Sequence, residues 1–292
     1  MAHRIFSDVS HHNQSSPAAL AFYDDAVVLL QAAGIPFLVG GGYAVHVYTR
    51  IDRATKDFDL FVMPDDVERI LDAFAAAGYD TEITYPHWLA KVRSGPELID
   101  IIFSSGNGLC PVDAAWFEHA VDGIVLDHAV RVCPPEETIW QKAFIMERDR
   151  YDGADVAHLL RVRGRDLDWR RLLARFGAHW RVLFNNLVLF GYIYPGERGV
   201  IPEWVIRELT ARFAHEERHP GLLYQTEQLC RGTLFSRQQY QIDLERWGYQ
   251  DGRLLPEGRM SQADADRWTR GDESPRGTGS DHRGNGCADS TD

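Results

Sequence analysis

The chain has 292 residues, 45% of them hydrophobic, and a formal net charge of −12. That length suffices for one large or two modest domains with a real core. An acidic balance gives no broad field for gripping duplex DNA or long RNA, and no apolar run approaches the length of a membrane span.

In chain order, Ser16-Pro17 caps a helix through Ala33 that ends at Gly34. Residues 35–39 are apolar and read as a short buried strand. Gly40, Gly41 and Gly42 break it, and a helix over 43–48 opens straight from the glycines. Glycine permits positive φ angles and close backbone approach. A helix N-terminus offers unpaired N–H groups and partial positive charge, both favourable to phosphate. A plain strand-to-helix turn accounts for the glycines as well.

Residues 56–63 begin with polar and apolar residues in alternation and end in Leu60-Phe61-Val62-Met63, a strand signature. Side chains at i and i+2 leave a strand on one face, so Asp57 and Asp59 project together while Phe58 points into the core. Two adjacent carboxylates repel, and each gains a raised pKa. A hard cation relieves that conflict, and Mg²⁺ typically uses one or two carboxylates plus substrate phosphates. An ordinary solvated acidic face is the alternative. The glycine turn and the basic residues Arg50, Arg53 and Lys56 weigh against it.

Pro64-Asp65 starts a helix through Ala77, and strands near 80–85, 88–93, 97–103 and 123–132 follow. Asp100 stands inside an apolar run, where an acid is costly to bury without a partner. If its strand pairs beside the Asp57–Asp59 strand, Asp100 completes a three-carboxylate cluster. Otherwise it is an edge residue or a salt-bridge partner of Lys91 or Arg93. Glu97, next to the Gly95-Pro96 turn, reads as solvated.

From about 134 the chain turns helical, with segments near 136–149, 154–162, 168–190, 202–216 and 234–247. Lys142 sits in an otherwise apolar stretch, and Arg148, Asp152 and Asp155 after it read as a charged helix face with i,i+3 and i,i+4 pairs. Arg161, Arg163, Arg165, Arg170 and Arg171 lie close enough to form a local patch for a nucleic-acid end, but they alternate with Asp166 and Asp168, which favours a solvated helical linker. The tail from 258 is poor in aliphatic residues and is expected to be disordered. Cys110, Cys133, Cys230 and Cys287 lack metal-ligand spacing and read as reduced thiols. His3, His11 and His12 read as surface residues. With no signal-peptide shape, a cytoplasmic protein is expected.

Gly41-Gly42-Tyr43-Ala44 followed by Arg53-x-Thr55-x-Asp57-Phe58-Asp59-Leu60 resembles the nucleotidyltransferase fold of the polymerase-β-like superfamily. The nearest group includes AbiEii-like and MenT-like toxins and small antibiotic nucleotidyltransferases. The resemblance covers about the first half of the chain. It implies an α+β fold, with a mixed sheet and flanking helices followed by a helical C-terminal domain. The implied division is a catalytic domain over 1–133, a helical domain over 134–257 and a tail over 258–292. By the same resemblance Gly41, Gly42, Arg53 and Thr55 contact the nucleotide, and Asp57, Asp59 and Asp100 hold Mg²⁺ or Mn²⁺. The stretch from Lys142 to Asp155 is similar to one that follows the catalytic core in many of these transferases, which adds Lys142 to the nucleotide site and implies that Lys142 and Arg148 reach phosphates or the acceptor, with Asp152 and Asp155 holding those bases. The implied reaction moves NMP from an NTP such as ATP to an acceptor hydroxyl and releases pyrophosphate. Small-molecule, protein and tRNA-end acceptors all stay open. The alternative is a catalytically inactive nucleotide-binding or partner-binding module, against which the presence of all three acids speaks.

Overall fold

The computed structural model describes residues 16–52, 55, 57–219 and 228–271; Arg53, Lys56, His3, His11, His12 and Cys287 lie outside them. Helix α1 (Pro17–Ala32) starts where the Ser16 hydroxyl accepts a hydrogen bond from Ala19 N at 2.9 Å. The chain continues through β1 (Leu38–Val39), α2 (Gly41–Thr49), β2 (Phe58–Phe61), α3 (Val67–Ala76), β3 (Asp80–Tyr85), β4 (Leu89–Ser94) and β5 (Glu97–Ile102). A short α4 (Ala114–Glu118) precedes β6 (Val121–Val125) and β7 (His128–Val132). The single strand expected over 123–132 is therefore a hairpin. Its turn residues Leu126 and Asp127 take φ of 50° and 61°, the positive values a tight two-residue connection demands.

Seven strands form one mixed sheet in the order β3-β4-β5-β2-β1-β7-β6. Strand β2 runs parallel to β5 and antiparallel to β1, which is parallel to β7. Phe58 of β2 stacks on Tyr23 of α1 at 5.0 Å and meets Tyr43 of α2 edge-on at 5.0 Å. That packing commits one face of β2 to α1 and α2, so its odd-numbered neighbours must use the other face.

The second half is helical: α5 (Pro135–Lys142), α6 (Gly153–Arg163), α7 (Trp169–Phe176), α8 (Trp180–Ile193) and α9 (Glu203–Arg218). The helix expected to reach 149 stops at Lys142. The helix expected over 168–190 is two helices, broken where Gly177 takes φ 46°. One apolar core, running from Ala19 to Leu234, joins the sheet to these helices. The end of β7 near 133 thus marks a change of element type rather than a gap in packing.

A small C-terminal unit follows, with β8 (Leu229–Cys230), α10 (Gln241–Glu245), β9 (Gln250–Asp251) and α11 (Gln262–Arg270). The helix expected over 234–247 shrinks to α10. The stretch from 258, expected to be disordered, is folded as far as 271. Met260 and Ala265 are buried, and Trp268 packs edge-on against Tyr85 at 5.1 Å and Trp88 at 5.2 Å. Few aliphatic residues are needed when one indole carries the contact. Residues 272–292 lie outside the described residues.

Arg171 also departs from expectation. It is not a solvated linker residue: its guanidinium lies 2.6 Å from both Glu136 and Glu137, and Glu137 is fully buried. Among the described residues no helix is long and apolar enough to cross a membrane.

Candidate active site

Because β1 and β2 are antiparallel, the β1–α2 turn lies against the start of β2. Gly40 N donates to Asp59 O at 2.9 Å. A Cβ on Gly40 would stand 2.1 Å from the Phe61 ring. A Cβ on Gly41, whose φ is +54°, would stand 1.6 Å from Asp59 Oδ2. These two glycines are required by the close passage of β2 side chains, whereas a Cβ on Gly42 would meet only Thr55 at 3.2 Å. Gly41→Ala should therefore cost about 1–3 kcal/mol of stability and push Asp59 out of place. Thermal melts beside an activity assay check this; full activity with an unchanged melting temperature would show that Asp59 is not confined there.

Asp57 and Asp59 occupy the face of β2 opposite Phe58. Asp59 stands directly across from Asp100 in the parallel β2–β5 pair, and Lys91 stands across from Asp100 in the β4–β5 pair. A row Lys91–Asp100–Asp59 thus crosses three strands. Burial pushes the Asp59 carboxyl well above the usual carboxylate range; Lys142 pulls it down and Asp57 adds to the rise. Burial also raises Asp100, the charges of Asp59 and Asp57 add to it, and Lys91 and Arg93 oppose without prevailing. The Asp100 Oδ1 atom is buried and has no hydrogen-bond partner. The two accounts of Asp100 meet here, since it has cations on one side and a carboxylate on the other.

The lysine expected at the nucleotide ends α5. Lys142 Nζ lies 2.8 Å from Asp152 Oδ2 and 2.9 Å from Asp155 Oδ2. Arg150 donates to the two oxygens of Asp152, both at 3.1 Å. Burial alone would raise the Asp152 carboxyl; its bonds to Arg150 and Lys142 outweigh that and hold it below the ordinary range. The fields of Lys142 and Arg150 both reach Asp59. Lys142 is buried with two carboxylates on its ammonium group, whereas the Arg150 side chain is 64% exposed. Arg150 is therefore the cation open to an incoming anion. Sequence reasoning passed over it for Arg148, which is simply exposed. The available signal was the spacing Arg150-x-Asp152, hidden in a stretch read as helix. Thr55 donates its hydroxyl to Asp57 O at 2.9 Å, and Arg53 lies outside the described residues.

No three His, Cys, Asp or Glu side chains among the described residues are gathered at metal-ligand spacing. What suits a hard cation is the Asp59–Asp100 pair, two carboxylates held back from ionising, one with an unpartnered buried oxygen. A pair of this kind matches Mg²⁺, which takes few protein carboxylates and completes its shell with phosphate and water.

Residues 28–217 match the family model described as the nucleotidyl transferase AbiEii toxin of type IV toxin–antitoxin systems, which is more than half of the chain. The chain belongs to the AbiEii nucleotidyl transferase family. As an AbiEii-family member it is a nucleotidyltransferase, and the resemblance carried by the glycine turn and the Asp57–Asp59 pair holds. No curated protein matches the sequence. Among solved structures it is similar to the antibiotic-resistance factor ANT(2'')-Ia, at 16% identity over 70% of this chain and 97% of that one, with a TM-score of 0.37. It is similar also to the lincomycin-bound lincosamide antibiotic adenylyltransferase LnuA, at 15% identity over 51% and 99%, TM-score 0.37. A third is JHP933 from Helicobacter pylori, at 11% identity over 73% and 100%, TM-score 0.33. The AbiEii match runs from within α1 to within α9, so it takes in every candidate site residue and ends before the C-terminal unit.

Proposed function

We propose that the protein transfers a nucleoside monophosphate from an NTP to an acceptor hydroxyl and releases pyrophosphate, with Asp57, Asp59 and Asp100 as holders of Mg²⁺ or Mn²⁺. The observation that carries this reading is the Asp59–Asp100 register beside the glycine start of α2. A bound divalent ion would supply the positive charge that lets both acids ionise and would offset charge on the triphosphate and leaving group.

The chain's own residues divide the remaining work. Gly41 keeps a side chain out of the space before Asp59, Gly42 is assigned to the nucleotide by resemblance, and the first N–H groups of α2 add partial positive charge there. Arg150 meets the phosphates, while Lys142, locked between Asp152 and Asp155, contributes its field from behind. Arg53 and Thr55 belong to the segment leading into Asp57, and their nucleotide contact is assigned by resemblance. In the transfer step the acceptor oxygen bonds to the α-phosphorus and its proton passes to Asp100. The bond from that phosphorus to the bridging oxygen breaks in line, and pyrophosphate departs.

The family's description as a toxin favours an acceptor in the cytoplasm of the cell that makes it, with a tRNA end or a protein ahead of an antibiotic. Incubating the protein with each NTP labelled at the α-phosphate, Mg²⁺ and a cell extract should label one acceptor class, and Asp57→Ala should label none. Transfer by Asp57→Ala at the wild-type rate would sink the assignment, and label confined to a small molecule would reverse the order of acceptors.

A further inference from the structure

Residues 228–271 lie beyond the family match, yet they are fastened to the body at two places. At the first, Trp268 covers Gly106 so closely that a Cβ there would lie 2.5 Å from the indole, and Asn107 Nδ2 donates to Leu234 O at 2.8 Å. This attachment uses the loop after β5 together with Tyr85 and Trp88 at the β3–β4 turn, none of them a candidate site residue.

The second attachment is Glu147. One of its carboxylate oxygens accepts from Arg237 N at 2.9 Å, and the other accepts from the Ser236 hydroxyl. The same hydroxyl accepts from Gln239 N at 3.1 Å, so Glu147 closes the 236–239 turn from outside. Met146 N donates to Phe235 O at 3.2 Å, and Phe235 stacks on Phe144 at 5.8 Å. Glu147 also begins the turn that delivers Arg150. Its N–H donates to Arg150 O at 2.8 Å, Met146 bridges Tyr151, and Asp152 N donates to Ile145 O at 3.2 Å. One residue thus joins the C-terminal unit to the turn whose far end carries Arg150 and Asp152.

We propose that Glu147 is a positioning residue: seated in the 236–239 turn, it fixes the 147–150 turn so that Asp152 holds Arg150 and Lys142 together beside Asp59. The C-terminal unit then sets the geometry of the triphosphate side of the site. This rests on the reading of Arg150 as a phosphate contact. A turn tethered by backbone bonds alone leaves an exposed arginine many rotamers, and ordering it at binding costs affinity.

The test is NTP affinity in Mg²⁺, measured by calorimetric titration of the full-length protein, for wild type, Arg150→Ala, Glu147→Ala, Glu147→Gln and the double variant Glu147→Ala/Arg150→Ala. Glu147→Ala should weaken NTP binding about tenfold, with Glu147→Gln, whose amide oxygen still accepts one bond, in between. The double variant should bind no more weakly than Arg150→Ala alone, because both changes remove the same contact. Trp268 and Asn107 keep the unit attached, so the fold should persist; if Glu147→Ala fails to fold, Glu147→Gln carries the same comparison. A folded Glu147 variant that binds NTP like wild type, or losses that simply add in the double variant, would overturn the inference while leaving the functional reading intact. A wild-type protein that binds no NTP would overturn both.

Discussion

Asp59→Asn and Asp100→Asn should each lower nucleotidyl transfer by about a thousandfold while making the metal-free protein more stable at neutral pH and above. The two effects have one cause. Asp59 and Asp100 face each other in register, and burial raises both carboxyls above the ordinary range, with Asp57 adding to the rise at Asp59 and both Asp59 and Asp57 adding to it at Asp100. Between that range and neutrality the folded state binds more protons than the unfolded chain. Stability from this source is complete at acidic pH and is lost as pH rises through the raised folded values. Asparagine fixes the neutral form. Each variant should match wild type only below about pH 4, where both states are protonated, already exceed it at about pH 5, and exceed it by on the order of 2–4 kcal/mol at about pH 8, measured by urea unfolding in a chelating buffer. A variant that lost activity and stability together would make these acids structural and remove them from the proposed chemistry.

The sequence makes part of this pair readable and withholds the rest. That Asp57 and Asp59 share a face follows from the two-residue period of a strand, and Phe58 against Tyr23 and Tyr43 fixes which face. The register of Asp59 with Asp100 is a long-range parallel pairing, and no local pattern encodes it. A lysine in an apolar stretch needs a reason, and for Lys142 the reason is two buried carboxylates. Arg150 was hidden because the chain leaves the helix at Lys142 and reverses through 147–150, while local propensity in that charged stretch favours helix. The burial of Glu136 and Glu137 is not legible locally, because acids in a first helical turn are normally solvated and favoured there by the helix dipole. What buries them is Arg171 and Arg175, which arrive from a separate helix. The fold of residues 258–271 is not legible in composition, which counts aliphatic residues and cannot show where one tryptophan lands.

Glu137 carries the largest expected effect on stability. It is fully buried near the start of α5 and accepts from Arg171 at 2.6 and 2.8 Å and from Arg175 Nε at 3.0 Å. Arg175 continues to Asp113, the N-cap of α4, with bonds of 2.6 and 2.8 Å. Those bonds hold the Asp113 carboxyl below its usual range. The guanidinium also lies 5.2 Å from the Trp140 ring centroid, which leaves it little room to swing out to water. Glu137→Ala removes the carboxylate shared by two largely buried guanidinium groups, and a broken buried pair of this kind costs about 3–5 kcal/mol. Glu137→Gln keeps the volume and some of the hydrogen bonds and should cost less, because only the charge is lost. The same substitution frees α5 against α7, and Lys142 ends α5, so nucleotidyl transfer should fall along with the folded fraction. Equilibrium urea unfolding of both variants measures the cost. A Glu137→Ala protein within about 1 kcal/mol of wild type would mean that Glu136 and Asp113, which stay bonded to Arg171 and Arg175, suffice to hold the two arginines between the layers.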